Sequence, residues 1–299
     1  MAAIGAHPAA GTGWRRPLAA KVPEVTALFW VLKLLTTAGG EAFSDYLALR
    51  GHAVAGAVEI LIFVVAVLVQ FSTRRYVAAA YWFLALAIAI FGTGVSDALH
   101  LIAGIPYAGT TALWTVILAL IFWRWHRSEG TLSIHSITTR RREVYYWATV
   151  FATFALGTAL GDFTAASLHL GYLASGVLFA VVIMIPAVAW RLGLNAVLAF
   201  WLAYVVTRPL GASFADYLSK PVFGGLGYGD LPVSAVLIGV LAVLVAYTAI
   251  ARRDIQQPTA PVAASAGTAR RGNRAGRHRS ASPIRELADP APAPRSPRT

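Results

Sequence analysis

The sequence predicts an all-α integral membrane protein with eight transmembrane helices, arranged as four parallel two-helix repeats with both termini in the cytoplasm. Three observations predict this fold class. Of 299 residues, 58% are hydrophobic and only 13% are charged, whereas soluble domains average about 45–50% apolar and about 25% charged residues. The other two observations are a series of long apolar windows and a residue pattern that recurs four times. Together they exclude an ordinary soluble domain.

The apolar windows are long enough to cross the roughly 30 Å of hydrocarbon in a bilayer. The eight windows are 25–48, 54–71, 77–99, 106–124, 145–167, 172–190, 194–217 and 232–250. Basic residues precede the first window and follow the even-numbered windows, at Arg15, Arg16, Lys21, Arg74, Arg75, 124–142, Arg191, Arg252 and Arg253. Because cytoplasmic loops are enriched in Lys and Arg, both termini are predicted to be cytoplasmic, and 124–142 is predicted to be the longest internal loop.

The two ends of the chain differ from its apolar middle. Residues 1–23 lack the apolar core of a cleaved signal peptide and are predicted to form a cytoplasmic N-terminal segment. Residues 252–299 are rich in Arg, Pro, Ala and Ser, and they hold much of the net charge of +12. Such a composition predicts a disordered basic cytoplasmic tail. One use of this tail is contact with anionic lipid headgroups, and we expect no nucleic-acid partner.

A residue pattern marks the odd-numbered windows. It reads aromatic residue, Trp, nine residues, Gly, four residues, Asp, without gaps. The members are Trp30, Trp82, Trp147 and Trp201, then Gly40, Gly92, Gly157 and Gly211, then Asp45, Asp97, Asp162 and Asp216. Self-similarity at a regular spacing is the signature of a repeat architecture. The pattern therefore predicts two-span units at about 24–72, 76–126, 144–191 and 194–251, all entering the membrane from the same side.

The chain resembles a family of uncharacterised bacterial membrane-anchored proteins built of four tandem two-span repeats, each marked by a tryptophan. The resemblance covers about residues 21–251, and the opening KVPEVTALFWVLKLLTTAGGEAFSDYL is typical of that family. It implies the eight-span architecture and a multi-pass location in the bacterial inner (plasma) membrane. It implies no activity, so the function has to be predicted from the residues.

Polar residues lie on one face of each odd-numbered span. At 100° per residue, the Trp, the Asp and the positions four and eight before the Asp fall within an arc of about 80°. The four faces read Trp30-Thr37-Glu41-Asp45 with Lys33 one turn earlier, Trp82-Ala89-Thr93-Asp97, Trp147-Phe154-Thr158-Asp162 and Trp201-Arg208-Ala212-Asp216. The repeated glycine lies beside this face, where it allows close helix approach. The tryptophans are expected in the inner aromatic belt and in helix packing.

The charges on these faces favour cations. Five carboxylates (Glu41, Asp45, Asp97, Asp162 and Asp216) stand against two obligate cations, Lys33 and Arg208. We therefore predict that the carboxylates line an ion pathway and that Lys33 and Arg208 are their charge partners. Thr37, Thr93, Thr158 and His100 are predicted accessory residues. The spacing of Glu41 and Asp45 suits two oxygen ligands of a hard metal ion. Asp97 and His100 are spaced for a metal pair or a proton relay.

These features favour an inner-membrane transport protein for a small cation, either a proton or a divalent metal such as manganese or magnesium. The alternative is a membrane scaffold or sensor that transports nothing, in which the repeated Asp and Trp residues are structural. An intramembrane enzyme acting on a lipid or isoprenoid is a third alternative, but the sequence has no HExxH or GxSxG motif and no cysteine. We therefore predict no enzymatic activity and no cofactor.

Overall fold

The structure is a computed structural model that describes residues 20–251 and Asp254. The predicted tail, 252–299, apart from Asp254, and most of the predicted N-terminal segment lie outside the described residues. Within the described part, the elements are helices and no strand is present, so the all-α prediction is confirmed. The α-helices are α1 Ala27–Ala48, α2 His52–Ser72, α3 Ala78–Leu101, α4 Tyr107–Glu129, α5 Arg140–Asp162, α6 Gly171–Val182, α7 Met184–Arg191, α8 Ala196–Ser219 and α9 Asp230–Ala251.

Seven helical segments in the described residues are long and apolar enough to cross a membrane, which makes the chain a multi-pass membrane protein. They are α2, α3, α4, α8 and α9, together with α5 extended by the π-helical turn Phe163–Ser167, and α6 joined to α7. The first predicted span is also a helix, α1, but it is not among these seven, and it carries Lys33, Glu41 and Asp45.

The predicted bounds of the loop at 124–142 are too wide, although it is the longest connection on its side of the described helices. Helix α4 continues to Glu129 and α5 begins at Arg140, so the connection is 130–139 and contains one 3₁₀ turn, Ile134–Ser136. Glu129 holds the two helix ends together, because its carboxylate lies 3.1 Å from Arg141 Nε and 2.8 Å from Arg142 Nε. Helices extend beyond an apolar window when polar residues satisfy each other in this way, and hydropathy alone does not detect that.

Four helices form a closed inner ring. Helix α1 packs against α3, α3 against α5, α5 against α8, and α8 returns to α1. These are the four helices that carry the recurring Trp, Gly and Asp. The remaining helices form an outer layer in which α2 covers α3, α4 covers α5, α6 and α7 cover α8, and α9 covers α1. Each outer helix therefore packs chiefly on the ring helix that follows it, and the last one closes onto the first.

The repeated residues explain how the ring closes. Each repeated glycine faces a residue of the next ring helix, and that residue comes three positions before the repeated glycine of its own helix. The pairs are Gly40 with Ala89, Gly92 with Phe154, Gly157 with Arg208, and Gly211 with Thr37. A Cβ atom on Gly40 would lie 2.3 Å from Ala89 Cβ, and a Cβ atom on Gly211 would lie 2.4 Å from Thr37 Cγ2. Only glycine leaves room for helices this close.

The tryptophans follow the same cyclic rule at the N-terminal ends of the ring helices. Each one packs on the aromatic residue that precedes the tryptophan of the previous ring helix. The pairs are Trp82 with Phe29, Trp147 with Tyr81, Trp201 with Tyr146, and Trp30 with Phe200, at ring-centroid distances of 5.7, 5.1, 6.1 and 5.8 Å. These distances are in the range of favourable aromatic pairs. The aromatic–Trp dipeptide is thus a packing device that links neighbours around the ring.

Candidate cation-binding site

Arg208 lies inside the ring and is fully buried. Its guanidinium donates to main-chain carbonyl oxygens of the other three ring helices: Phe154 at 3.2 Å, Thr37 at 3.1 Å and Ala89 at 3.5 Å. The planar fork of five N–H donors makes arginine suited to several acceptors at once. One side chain from α8 therefore contacts α1, α3 and α5, and it fills the interior of the ring at this level.

Glu41 is the charge partner of Arg208. The two side chains form a buried ion pair with 2.6 Å between Arg208 Nη2 and Glu41 Oε2. The same carboxylate oxygen accepts hydrogen bonds from Thr93 Oγ1 at 2.8 Å and Thr158 Oγ1 at 3.2 Å. Arg208 Nη2 also donates to Thr158 Oγ1 at 2.9 Å and to Thr93 Oγ1. The four ring helices thus share one polar network, since each contributes a side chain to it.

A cluster of acids lies on the C-terminal side of Arg208. Glu41, Asp45 and Asp216 each offer a carboxylate oxygen, and these three oxygens lie within 4.8 Å of one another. Lys220, directly after α8, places its ammonium between two of them, 3.0 Å from Asp45 Oδ2 and 2.9 Å from Asp216 Oδ1. Lys220 is 24% exposed. We call the three acidic residues, Glu41, Asp45 and Asp216, the acidic cluster; they come from α1 and α8.

The charge of Lys220 is stabilised by the acidic cluster. Burial alone would lower the pKa of Lys220, but Asp216, Asp45 and Asp162 outweigh burial and raise the pKa well above its ordinary value. Lys220 therefore remains an ammonium group at any ordinary pH. The cluster is thus already occupied by a cation of the protein itself, the Lys220 ammonium.

The other two repeated aspartates lie beside the cluster without joining it. Asp97 and Asp162 are half-buried near the C-terminal ends of α3 and α5. The charges of Asp45, Glu41 and Lys220 act on both of them, so they share the electrostatic field of the cluster. The five carboxylates predicted from the sequence thus lie on the same side of Arg208, but only three of them are grouped closely enough to share one ion.

The predicted accessory residues have divided roles. Thr93 and Thr158 belong to the Arg208–Glu41 network, whereas the Thr37 hydroxyl donates to the Lys33 carbonyl of its own helix at 2.8 Å. The predicted relay between His100 and Asp97 is wrong for the described residues. His100 Nδ1 instead bonds to the Ile105 carbonyl at 2.9 Å, and its ring stacks on Tyr107 with centroids 3.7 Å apart. The turn after α3 therefore uses His100 to fix its own conformation.

Lys33 does not pair with a carboxylate, so the predicted charge partnership is wrong for this residue. Its side chain is 1% exposed, and no described residue forms a hydrogen bond with Nζ. The ammonium lies 3.7 Å from the ring centroid of Phe154 and 4.1 Å from that of Tyr204. The reason is distance along the helix: Lys33 precedes Glu41 by two turns, and Arg208 already occupies the space beside Glu41.

The repeated tryptophans pack between helices, as expected from the sequence. Trp82, Trp147 and Trp201 are buried, and Trp30 is half-buried. Among the described residues, the most exposed tryptophans are Trp123 on α4 and Trp190 on α7, at 61% and 52% exposure. Both lie on outer helices. The position of the repeated tryptophans in an inner aromatic belt stays a prediction.

Two features of the site were missed by reading the sequence. The first is Lys220, whose spacing of four residues from Asp216 is the signal for a helix-end ion pair. The second feature is a group of buried tyrosine side chains near Lys33, formed by Tyr81, Tyr146 and Tyr204. The Tyr81 and Tyr146 hydroxyls hydrogen-bond each other. Nothing in the sequence distinguishes these hydroxyls from ordinary aromatic packing.

Comparison with known proteins gives one match. The model of a family described as Repeat of Unknown Function (DUF347) matches residues 80–131, 145–192 and 199–254, which are three tandem repeats covering more than half of the chain. Each matched range begins two residues before a recurring tryptophan, at Trp82, Trp147 and Trp201. No curated protein and no solved structure matches the chain.

Proposed function

The chain belongs to the Repeat of Unknown Function (DUF347) family, whose description names no activity, and we propose from its geometry that it transports a small cation across a membrane. The substrate is a proton or a divalent metal such as manganese or magnesium, and the acidic cluster favours the metal. We propose no enzymatic activity for the protein and place it in the bacterial inner membrane.

The proposal includes a finer architecture of four units and eight spans. Residues 24–72 are the first unit, because α1 carries the same pattern as the matched units and takes the same place in the ring as α3, α5 and α8. The polar residues of α1 face the ring interior and not lipid, which makes its lower hydropathy compatible with a span. The distribution of basic residues supports parallel units with both termini in the cytoplasm.

The observation that carries the proposal is the acidic cluster with Lys220 inside it. Hard divalent cations take carboxylate oxygens at about 2.0–2.6 Å, so the ligand oxygens of one ion lie up to about 5 Å apart. The three oxygens of Glu41, Asp45 and Asp216 meet this requirement. The ammonium of Lys220 lies where such an ion would be bound. It stands in for the transported cation when that cation is absent.

The cluster and the Arg208 network share Glu41, which suggests how binding opens the ring. A cation that enters from the C-terminal side of the ring helices displaces Lys220 and is bound by Asp45 and Asp216. Glu41 then turns its charge from Arg208 to the cation. Arg208 loses its only carboxylate partner among the described residues, so the ion pair that holds it across the interior is broken. On this proposal the structure corresponds to a cation-free form in which Arg208 closes the interior of the ring.

The test of the proposal uses the two aspartates and not Glu41. Asp45→Asn and Asp216→Asn each remove one carboxylate from the cluster, whereas changing Glu41 also breaks the ion pair with Arg208. We expect each aspartate variant, purified and reconstituted in liposomes, to lose Mn²⁺ flux at least about tenfold, since one charged ligand is worth more than 1.4 kcal/mol in a buried site. Flux is measured with a Mn²⁺-sensitive dye inside the vesicles.

Glu129→Gln is the matched control, because Glu129 lies at the opposite end of the helices, in an ion pair with Arg141 and Arg142. Its flux should equal that of the wild type. Undiminished flux in both aspartate variants would contradict the proposed site. Measuring the melting temperature of every variant separates a lost site from a lost fold.

Lys220→Met should strengthen cation binding. Lys220 competes for Asp45 and Asp216, so its removal leaves their charge to the substrate alone. We expect the dissociation constant for Mn²⁺ to fall about tenfold or more, given about 4 kcal/mol of attraction between unit charges at 4 Å near a protein surface. Calorimetric titration of the detergent-solubilised protein measures it. An unchanged dissociation constant would mean that Lys220 and the metal do not share a site.

The second candidate function is a scaffold or sensor that transports nothing. The observation in its favour is that the Arg208 network ties all four ring helices with satisfied hydrogen bonds, as a purely structural network would. This candidate predicts that Asp45→Asn and Asp216→Asn lower the melting temperature while the wild type shows no flux. It also predicts that deletion of residues 252–299 removes function, whereas a transporter should keep its flux without them.

A further inference from the structure

Lys33 is the ionisable group that the proposed cation site does not use. It lies on α1 inside the ring, on the N-terminal side of Arg208, with its ammonium over the rings of Phe154 and Tyr204. It is 1% exposed, and within residues 20–251 and Asp254 its Nζ has neither a hydrogen-bond partner nor a carboxylate. A charged group inside a membrane domain is costly unless it is paired or hydrated. The burial of an unpaired ammonium in this position therefore has to be explained.

We infer that Lys33 is a proton-binding site, and that it couples movement of the cation to movement of a proton in the opposite direction. This inference rests on the proposed function and adds the coupling ion to it. Lysine suits this role because its amine is stable both with and without a proton, whereas the guanidinium of Arg208 never releases one.

The charges around Lys33 connect it to the acidic cluster. From α8 it faces Arg208, whose positive charge acts on it directly, and the ring of Tyr204. From α5 it faces Phe154, and α3 contributes Tyr81 to the same buried tyrosine group. On α1 the next ionisable residue toward the acidic cluster is Glu41, which neutralises Arg208. The charge that Lys33 experiences therefore depends on whether Glu41 is paired with Arg208.

Binding of the cation changes that pairing. When Glu41 turns to the cation, Arg208 is left with its full positive charge beside the Lys33 ammonium. Like charges at close range repel each other, and the repulsion is stronger where the surroundings are less polar. The Nζ–H bond then breaks, the proton leaves, and the amine keeps the electron pair. One cation entering thus releases one proton, and the proton leaves toward the C-terminal side, from which the cation entered, because Arg208 no longer pairs with Glu41 between Lys33 and that side.

The protonation of Lys33 can be observed directly, because the chain has only three lysines, Lys21, Lys33 and Lys220. In protein labelled with ¹³C at lysine Cε, the Lys33 signal is the one missing from Lys33→Met. We expect this signal to move between the ammonium and the amine position as the pH is raised, and to move at a different pH when diamagnetic Mg²⁺ is added in place of Mn²⁺. Lys21 is the internal control, because it is ion-paired with Glu143 and added Mg²⁺ should not change the pH at which its signal moves.

Coupling is tested in liposomes that contain a pH-sensitive dye and a Mn²⁺-sensitive dye. The wild type should show proton movement opposite to Mn²⁺, and Lys33→Met and Lys33→Arg should reduce it to the background of empty liposomes. Methionine cannot take up the proton, and arginine cannot release it. Lys21→Arg is the matched control, since Lys21 is ion-paired with Glu143 far from the cluster, and it should keep the coupling.

The outcomes separate the two proposals. A Lys33 signal that stays in one position throughout, or proton movement that persists in both Lys33 variants, overturns the inference and leaves the cation site intact. Mn²⁺ flux without any proton movement in the wild type does the same. If the wild type transports neither Mn²⁺ nor Mg²⁺, transport of a divalent metal is refuted, and the coupling is refuted with it even if Lys33 titrates.

Discussion

Replacing Arg208 with methionine is expected to lower the free energy of unfolding by about 3–5 kcal/mol, because it leaves the Glu41 carboxylate buried without its counter-ion. The loss is large because Arg208 also satisfies carbonyl oxygens of Phe154, Thr37 and Ala89. Chemical unfolding of the protein in detergent, followed by circular dichroism, measures the change. A variant as stable as the wild type would show that the network contributes nothing to holding the ring together.

The double variant Arg208→Met with Glu41→Gln is the matched control. It removes both charges, and replacing a buried ion pair by uncharged residues of similar size is often neutral. We therefore expect the double variant to be more stable than Arg208→Met alone, with a coupling energy of about 2 kcal/mol or more between the two positions. Additive effects of the two single substitutions would mean that Arg208 and Glu41 act independently.

The positions of the ring residues along their helices could be predicted from the sequence, because they are periodic, whereas the closure of the ring could not. The fixed spacing of Trp, Gly and Asp places them at the same heights on four helices. The 100° step of a helix puts Glu41, Thr93, Thr158 and Arg208, one on each ring helix, on the same face as the repeated Asp of that helix. These are the residues that meet inside the ring. The glycines were correctly interpreted as contact points, since a residue without Cβ in a membrane helix has few other uses.

The pairing of charges could not be predicted, because it depends on which helix faces which. Arg208 reaches Glu41 only because α8 closes onto α1, and these residues are 167 positions apart in the chain. Once Arg208 has Glu41, Lys33 is left with aromatic rings, and Lys220 takes the place between Asp45 and Asp216. Periodicity fixes the height and direction of each side chain but not its partner across the ring.

For the tryptophans, the sequence predicts packing between helices but not the partner. A tryptophan near the end of a membrane span is usually an interfacial anchor, and Trp82, Trp147 and Trp201 are in addition buried between helices. Their positions on the ring helices expose them to neighbouring helices, and the preceding aromatic residue of another helix provides the contact. The repeat pattern thus reflects contacts between units and not contacts with lipid.

Gly40→Ala is expected to lower the stability of the ring. The new Cβ would lie 2.3 Å from Ala89 Cβ and 3.2 Å from main-chain atoms of Ala89 and Ile90, so α1 and α3 would have to separate. Overpacking of this kind costs about 1–3 kcal/mol. Separation would also weaken the bond between Thr93 of α3 and Glu41 of α1, so flux should fall together with stability.

The matched control is Gly239→Ala on α9, where nothing lies within 4 Å of the new Cβ. Both substitutions add the same methyl group inside a helix, and alanine is the better helix former by up to about 1 kcal/mol. Gly239→Ala should therefore leave the melting temperature unchanged or raise it, whereas Gly40→Ala lowers it. Because the two variants differ only in what the methyl group meets, equal melting temperatures would mean that close contact between α1 and α3 is not what stabilises the ring.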